Sequence, residues 1–65
     1  MRYDKFKTLK LNKQGFIPCV IIQTGEEGII FEIDKNSGRV YVIARRHGYA
    51  ENQQQWFNYT EIEAW

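Results

Sequence analysis

The stretch that decides the fold is residues 29–46, IIFEIDKNSGRVYVIARR. Two apolar, β-branched runs flank residues 35–38, KNSG, a cluster of turn-forming residues. A period of two in both runs predicts a β-hairpin with one face in a core. The alternating sets are Ile29, Phe31 and Ile33 against Ile30, Glu32 and Asp34, then Val40, Val42 and Ala44 against Tyr41, Ile43 and Arg45.

Two further strands are predicted on the N-terminal side of this hairpin. Residues 5–11, KFKTLKL, predict a first strand with lysines on its wet face. The alternating sets are Lys7, Leu9 and Leu11 against Phe6, Thr8 and Lys10. Residues 16–23 are almost continuously apolar, but Pro18 cannot donate a ladder hydrogen bond. We therefore expect the usable strand at residues 19–23, with Val20 and Ile22 on one face and Cys19 and Ile21 on the other. Residues 24–28, TGEEG, predict a tight turn.

The C-terminal third predicts a loop and one short strand. Residues 47–55, HGYAENQQQ, are polar and without period, so we expect a loop, with a short helical turn near residues 50–55. Residues 56–59 are interpreted as a turn that leads into a short last strand, in which Glu61 and Glu63 alternate with Ile62 and Ala64.

Five short strands in 65 residues predict a single all-β domain over residues 1–65, a closed or half-open five-stranded barrel. Three short motifs carry a resemblance to the SH3-like small barrels. They are Gly25-x-x-Gly28-x-Ile30, Val40-Tyr41-Val42 within the hairpin, and Glu61-Ile62 in the terminal strand. An OB-type barrel is the nearest alternative, although it usually needs a longer chain and a helix between strands. The resemblance concerns the fold, and a function taken from it is an analogy.

Composition restricts the class of protein. The chain has 43% hydrophobic and 15% aromatic residues, more aromatic side chains than so thin a core needs, so some are expected at a surface or interface. A single cysteine excludes an internal disulfide and favours a reducing compartment, and no segment is apolar enough to span a membrane. We expect a cytoplasmic protein. The abundance of Ile, Lys, Asn and Gln suggests a low-GC bacterial or phage genome, and an accessory protein of a phage or mobile element is one such origin.

No pattern in the sequence supports an enzyme, a metal site or a cofactor. Cys19 lies in an apolar run, where cysteine acts as a small hydrophobic residue, and His47 is the only histidine. One cysteine and one histidine are too few ligands for zinc, and Gly25-x-x-Gly28 lacks the lysine of a phosphate-binding loop. The glutamates are predicted to be solvated surface. We expect a non-catalytic binding module.

The candidate binding residues are basic and aromatic. Arginine can grip phosphates and aromatic rings can stack on bases or cover proline rings, so nucleic acid or a protein partner would fit. The net charge is only +1, but residues 1–15 and 39–50 are basic while residues 16–38 and 51–65 are acidic. The candidates are Arg45, Arg46, His47, Tyr49, Trp56 and Tyr59, with the N-terminal lysines Lys5, Lys7 and Lys10.

Each candidate also has a structural interpretation. Trp56 would close the barrel end as a core residue, Arg45 would pair with Glu32 across the hairpin, and the lysines would keep an edge strand soluble. A nucleic-acid-associated accessory or regulatory role is slightly favoured. The alternative is a protein–protein module in which aromatic residues anchor a partner guided by the acidic turn at residues 26–27. Monomer and homodimer are both open, the latter through the terminal strand with Trp56 and Trp65.

Overall fold

The computed structural model describes residues 1–45 and 52–64 of the chain. A short helix, α1 (Tyr3–Thr8), is followed by five antiparallel strands in one curled sheet. The strands are β1 (Ile17–Ile21), β2 (Glu27–Asp34), β3 (Arg39–Arg45), β4 (Asn52–Asn58) and β5 (Ile62–Ala64), with a 3₁₀ turn at Tyr59–Glu61 between the last two. Their order in the sheet is β4-β3-β2-β1-β5. The chain is thus a small all-β domain, as the sequence predicts.

The central hairpin is confirmed as the β2–β3 pair. Its turn closes with a hydrogen bond from the Gly38 N–H to the Asp34 carbonyl oxygen at 3.0 Å. The Asp34 carboxylate also accepts from the backbone N–H groups of Asn36 and Ser37, at 3.0 and 3.3 Å. Gly38 has φ +71°, a left-handed conformation that side chains other than glycine resist. The turn residues therefore act as their composition predicts.

A β-bulge changes which side chains of β2 enter the core. Register shifts between Ile30, which pairs with Val42, and Glu32, which pairs with Tyr41. Because one extra residue is inserted there, Phe31 leaves the strict alternation. The core side of β2 consequently carries Ile30 and Ile33, one residue from each of the two alternating sets that a period of two predicts. In β3, the predicted alternation holds, and Val40, Val42 and Ala44 are all buried.

Strand β1 fills the core as predicted, although it begins and ends two residues earlier. Cys19 and Ile21 are buried together with Ile17, whereas Ile22 is 56% exposed. Cys19 thus acts as a small core residue. Further along the chain, Ile62 and Ala64 of β5 pack into the same cluster. The buried residues lie on one face of the curled sheet, and the other face is left to solvent.

The predicted first strand at residues 5–11 is wrong, because residues 3–8 form α1 instead. Phe6 is only 1% exposed and stacks on Tyr59, with ring centroids 4.6 Å apart. Lys35 from the hairpin turn donates to the Phe6 carbonyl oxygen and lies over its ring at 4.9 Å. A helix of six residues makes fewer than two turns, so its sequence cannot display a helical period. Burial of Phe6 decides the conformation.

The predicted loop and turn are also wrong over residues 52–58, whereas Tyr59 does begin a 3₁₀ turn. Residues 52–58 form β4, which pairs with the whole of β3, from Arg39 opposite Asn58 to Arg45 opposite Asn52. Four consecutive amide residues carry no apolar period, but backbone pairing with a strand already in place does not require one. The predicted helical turn at residues 50–55 is therefore replaced by strand from residue 52 onward. The sheet has five strands, but β4 replaces the predicted one at residues 5–11.

Candidate functional site

The outer face of the sheet carries three aromatic rings in contact, Phe31, Tyr41 and Trp56, which we call the aromatic row. Tyr41 and Trp56 are directly paired across β3 and β4. The bulge in β2 brings Phe31 onto Tyr41, with centroids 4.6 Å apart and planes tilted by 36°. None of the three belongs to the buried core, and Trp56 is 42% exposed. The row is thus a surface feature built by cross-strand register.

At the end of the row, one face of the Trp56 ring has no aromatic partner among the described residues. The Tyr41 and Trp56 rings are nearly parallel, at 11°, with centroids 4.9 Å apart. That separation matches the spacing of about 4.8 Å between neighbouring strands, so the stack runs across the sheet. Tyr41 is covered on both sides, by Phe31 and by Trp56. The far face of Trp56 points away from β3, and a further planar group could extend the stack there.

Polar groups surround the aromatic row. The Tyr41 hydroxyl donates to the Gln54 amide oxygen at 3.4 Å, on the same face of β4. Arg39, two residues before Tyr41 on β3, is exposed and donates from Nε to the Ser37 hydroxyl at 3.2 Å. Glu32 is the cross-strand neighbour of Tyr41 on β2. The row therefore combines aromatic surface with amide donors and acceptors and with charges of both signs.

Apolar residues continue the outer face away from the aromatic row. Ile43 pairs with Ile29 on β2, which in turn pairs with Pro18 on β1. Ile29 and Ile43 are partly exposed, and Pro18 is exposed. The outer face therefore presents a partly apolar surface on which aromatic rings occupy one end.

Of the predicted basic residues, only some fall in the described part of the chain. Arg45 is the last residue of β3 and is an even number of residues from Arg39 and Tyr41. Arg46, His47 and Tyr49 lie outside the described residues. The register places Glu32 opposite Tyr41, four residues before Arg45 on β3, so Arg45 and Glu32 are not directly opposite each other. The residue before Arg45, Ala44, lies opposite Gly28, so the end of β3 is next to the start of β2.

The lysines belong to the N-terminal segment, and Lys5 lies beside β5. Lys5 donates from Nζ to the Ala64 carbonyl oxygen at 2.6 Å and forms an ion pair with Glu63 at 3.2 Å. Lys7 and Lys10 are exposed on and just after α1. Lys5 is therefore engaged with β5, and the two other lysines are accessible charges on the N-terminal segment.

The two predicted aromatic residues have different environments. Trp56 is exposed on the outer face, so the structural interpretation of it as a core residue is wrong. Tyr59, by contrast, is half-buried between Phe6 and Tyr3, at 4.6 and 6.0 Å between ring centroids. Tyr59 packs against α1 from the 3₁₀ turn, whereas Trp56 is part of the aromatic row. The sequence interpretation missed Phe31 and Tyr41, whose contact depends on the bulge and on pairing with β4.

Catalytic and metal chemistry have little support in the described residues. Cys19 is fully buried, and burial raises the pKa of its thiol to about 11, so the thiol is protonated at neutral pH. Among residues 1–45 and 52–64, no three His, Cys, Asp or Glu side chains come together as a metal site. Within the same residues, no helix has the length and apolar character of a membrane span.

Comparisons with known proteins leave the surface chemistry as the guide to function. No protein-family model, curated protein or solved structure matches this chain.

Proposed function

We propose that this chain is a small SH3-like barrel domain that acts, without catalysis, as a binding module for single-stranded nucleic acid in the cytoplasm. The strand order supports the barrel: four strands form a meander, and the fifth returns beside the first. The single observation that carries the binding proposal is the exposed Trp56 stacked on Tyr41 on the solvent face of the sheet. Every nucleobase has a planar face that can extend such a stack.

Arginines at both ends of β3 supply the phosphate contacts in this proposal. Arg39 lies at one end of the strand and Arg45 at the other, six residues apart, with Tyr41 between them. At about 3.4 Å per residue, they span about 20 Å, which is several nucleotides of extended single strand. Arg46, His47 and Tyr49 follow Arg45 in sequence and would extend this end of the site. Lys7 and Lys10 would act as additional, nonspecific charges.

The stacking contribution can be tested with a fluorescently labelled oligothymidylate and anisotropy measurements. Trp56→Ala should weaken binding about tenfold, since one base stacked on an aromatic ring contributes about 1–3 kcal/mol. Trp56→Phe should recover most of the affinity. Tyr3→Ala is the matched control, because Tyr3 is also exposed but lies beside Tyr59. Equal binding by Trp56→Ala and the parent chain would contradict the proposal, as would a preference for duplex DNA.

The phosphate contacts can be tested separately by salt titration. Each phosphate contact contributes about −0.7 to the slope of log affinity against log salt for single strands, so Arg39→Ala should reduce the slope by about that amount. Arg45→Ala/Arg46→Ala should reduce it by about twice as much. Lys13→Ala is the matched control, an exposed charge in the turn before β1. An unchanged slope in the double variant would eliminate the arginines as phosphate ligands.

A protein partner is the second candidate, and the apolar continuation of the outer face favours it. Ile29 and Ile43 extend the aromatic row with apolar surface of the kind found at the centre of protein interfaces. Glu26 and Glu27, at the start of β2, would attract a basic partner. In that case, Ile43→Ser and Trp56→Ala would both abolish capture of the partner. Nucleic-acid binding, by contrast, should be little changed by Ile43→Ser.

A further inference from the structure

Strand β4 is an edge of the described sheet and lacks the features that protect sheet edges. Its seven residues, NQQQWFN, contain no charge and no proline. No strand within residues 1–45 and 52–64 pairs with its outer side. An edge strand of this length presents a row of backbone donors and acceptors, and natural proteins usually protect it with charged side chains, proline or a bulge. Strand β4 is therefore open to pairing with another chain.

The core-facing side of β4 is also uncovered near its middle. Gln55 pairs with Val42, which is fully buried, so Gln55 lies on the core side of the sheet. Gln55 itself is exposed. A further strand beside β4 would thus be accommodated on both faces, next to Gln55 on one and next to Trp56 on the other.

The side chains of β4 have the chemistry of a self-complementary surface. An amide side chain carries both donors and an acceptor, so identical glutamines can bond to each other across a two-fold axis. Lysine or glutamate in the same positions would repel its own copy. A neutral amide strand imposes no such penalty. The occupant best matched to β4 is consequently a second β4.

We propose that two copies of this chain form a dimer by antiparallel pairing of their β4 strands, with Gln55 at the two-fold axis. This register uses all seven residues of the strand, because Gln55 is the midpoint of Asn52–Asn58. Each Trp56 then lies beside Gln54 of the second copy, on the side where a base would otherwise stack, so this dimer and the stacking of a base on Trp56 exclude each other. The two sheets become one, and the two aromatic rows lie on the same continuous face.

The other edge explains why the assembly closes at two copies. Strand β5 has only three residues, and its Ala64 carbonyl oxygen already accepts from Lys5 Nζ at 2.6 Å. The Ile62 carbonyl oxygen accepts from the Met1 amino group. Within its described strands each copy therefore offers one open edge, and pairing through one isologous surface gives a closed dimer.

The proposal is tested by measuring mass by sedimentation equilibrium from micromolar to millimolar protein. We expect twice the mass of one chain at the upper concentrations. Gln55→Lys should raise the dissociation constant at least about tenfold, because two lysines would face each other at the axis. Gln23→Lys is the matched control, since Gln23 is an exposed glutamine outside β4, and it should dimerise normally. Monomer at every concentration would overturn the proposal, and so would open-ended growth.

Two further measurements distinguish pairing from simple loss of folding. Gln55→Lys and Gln55→Glu should each be monomeric and folded, and an equimolar mixture should form the heterodimer. Gln55→Cys should form an intermolecular disulfide with oxidised glutathione, because paired strand residues lie within disulfide range. Buried Cys19, with its raised thiol pKa, does not compete. Failure of the mixture to associate, or equal crosslinking by Gln23→Cys, would overturn the register.

Discussion

The two edges of the sheet are built in opposite ways. Strand β5 is short, and Lys5 Nζ and the Met1 amino group donate to its Ala64 and Ile62 carbonyl oxygens and form ion pairs with Glu63. Strand β4 is more than twice as long, uncharged and unpaired on its outer side among the described residues. One edge is covered by the chain itself, and the other is the edge that we propose to pair with a second copy. The difference indicates that substitutions at β5 affect folding, whereas substitutions at β4 affect association.

The largest effect is expected for Phe6→Ala, which removes the anchor of the segment that covers β5. Phe6 is almost fully buried and stacks on Tyr59. Truncation of a buried phenylalanine costs about 3–5 kcal/mol, a large part of the stability of so small a domain. Urea unfolding followed by circular dichroism would measure the loss. Tyr3→Ala removes an exposed ring beside Tyr59 and should lower the free energy of unfolding much less. An equal loss in both variants would mean that α1 is not anchored by Phe6.

This anchor also shows why the sequence predicts some elements and not others. The central hairpin could be predicted because its signals are local: a period of two and a turn with Asp34 and Gly38 at the required positions. The helix could not, because Phe6 becomes helical through contact with Tyr59, which lies more than fifty residues away in sequence. Alternating lysines and leucines near the N-terminus then gave a misleading strand pattern.

The candidate site was only partly predictable for the same reason. Trp56 could be singled out from composition, but its partner Tyr41 depends on the register between β3 and β4. The sequence of β4 gives no sign of a strand, because backbone pairing with β3 supplies what its side chains lack. Phe31 reaches the row only through the bulge, which a strict alternation cannot reveal. Contacts between strands are long-range, so single-sequence patterns do not contain them.

The next effect in size is expected for Lys5→Met, which keeps most of the side-chain stem and removes the ammonium group. The variant loses the hydrogen bond to the Ala64 carbonyl oxygen and the ion pair with Glu63. We expect a loss of about 1 kcal/mol, since the pair is partly exposed and screened by solvent. Lys7→Met is the matched control on the same helix and should be nearly neutral. Association through β4 should be unchanged in both variants, as measured by sedimentation.

A smaller effect is expected on acidification at the β5 edge. The hydrogen bond from Lys5, helped by the Met1 amino group, lowers the pKa of Glu63. A carboxyl group with a lowered folded-state pKa stabilises the fold above its unfolded pKa, and this stability is lost as pH falls through the folded value. Glu63→Gln should therefore flatten the acid limb of a stability–pH curve measured by urea unfolding.

A second carboxyl group provides the comparison for this pH dependence. Hydrogen bonds from Ser37 lower the pKa of Asp34 in the hairpin turn, with the same sign. Asp34→Asn should thus remove a separate part of the acid dependence, and the double variant should be flatter than either. If Glu63→Gln left the curve unchanged while Asp34→Asn flattened it, the ion pair at β5 would contribute nothing to stability in solution.

The smallest effect on stability is expected for Gln55→Lys, and this small effect is what makes the comparison of the two edges informative. Gln55 is exposed, so the free energy of unfolding of the dilute monomer should change by less than about 0.5 kcal/mol. The same variant should lose dimerisation, whereas Lys5→Met should lose stability and keep dimerisation. Measured together by urea unfolding at low concentration and sedimentation at high concentration, the two variants should give opposite results. A Gln55→Lys chain that unfolds readily as a monomer would show that β4 is required for the fold itself, and the contrast between the edges would then fail.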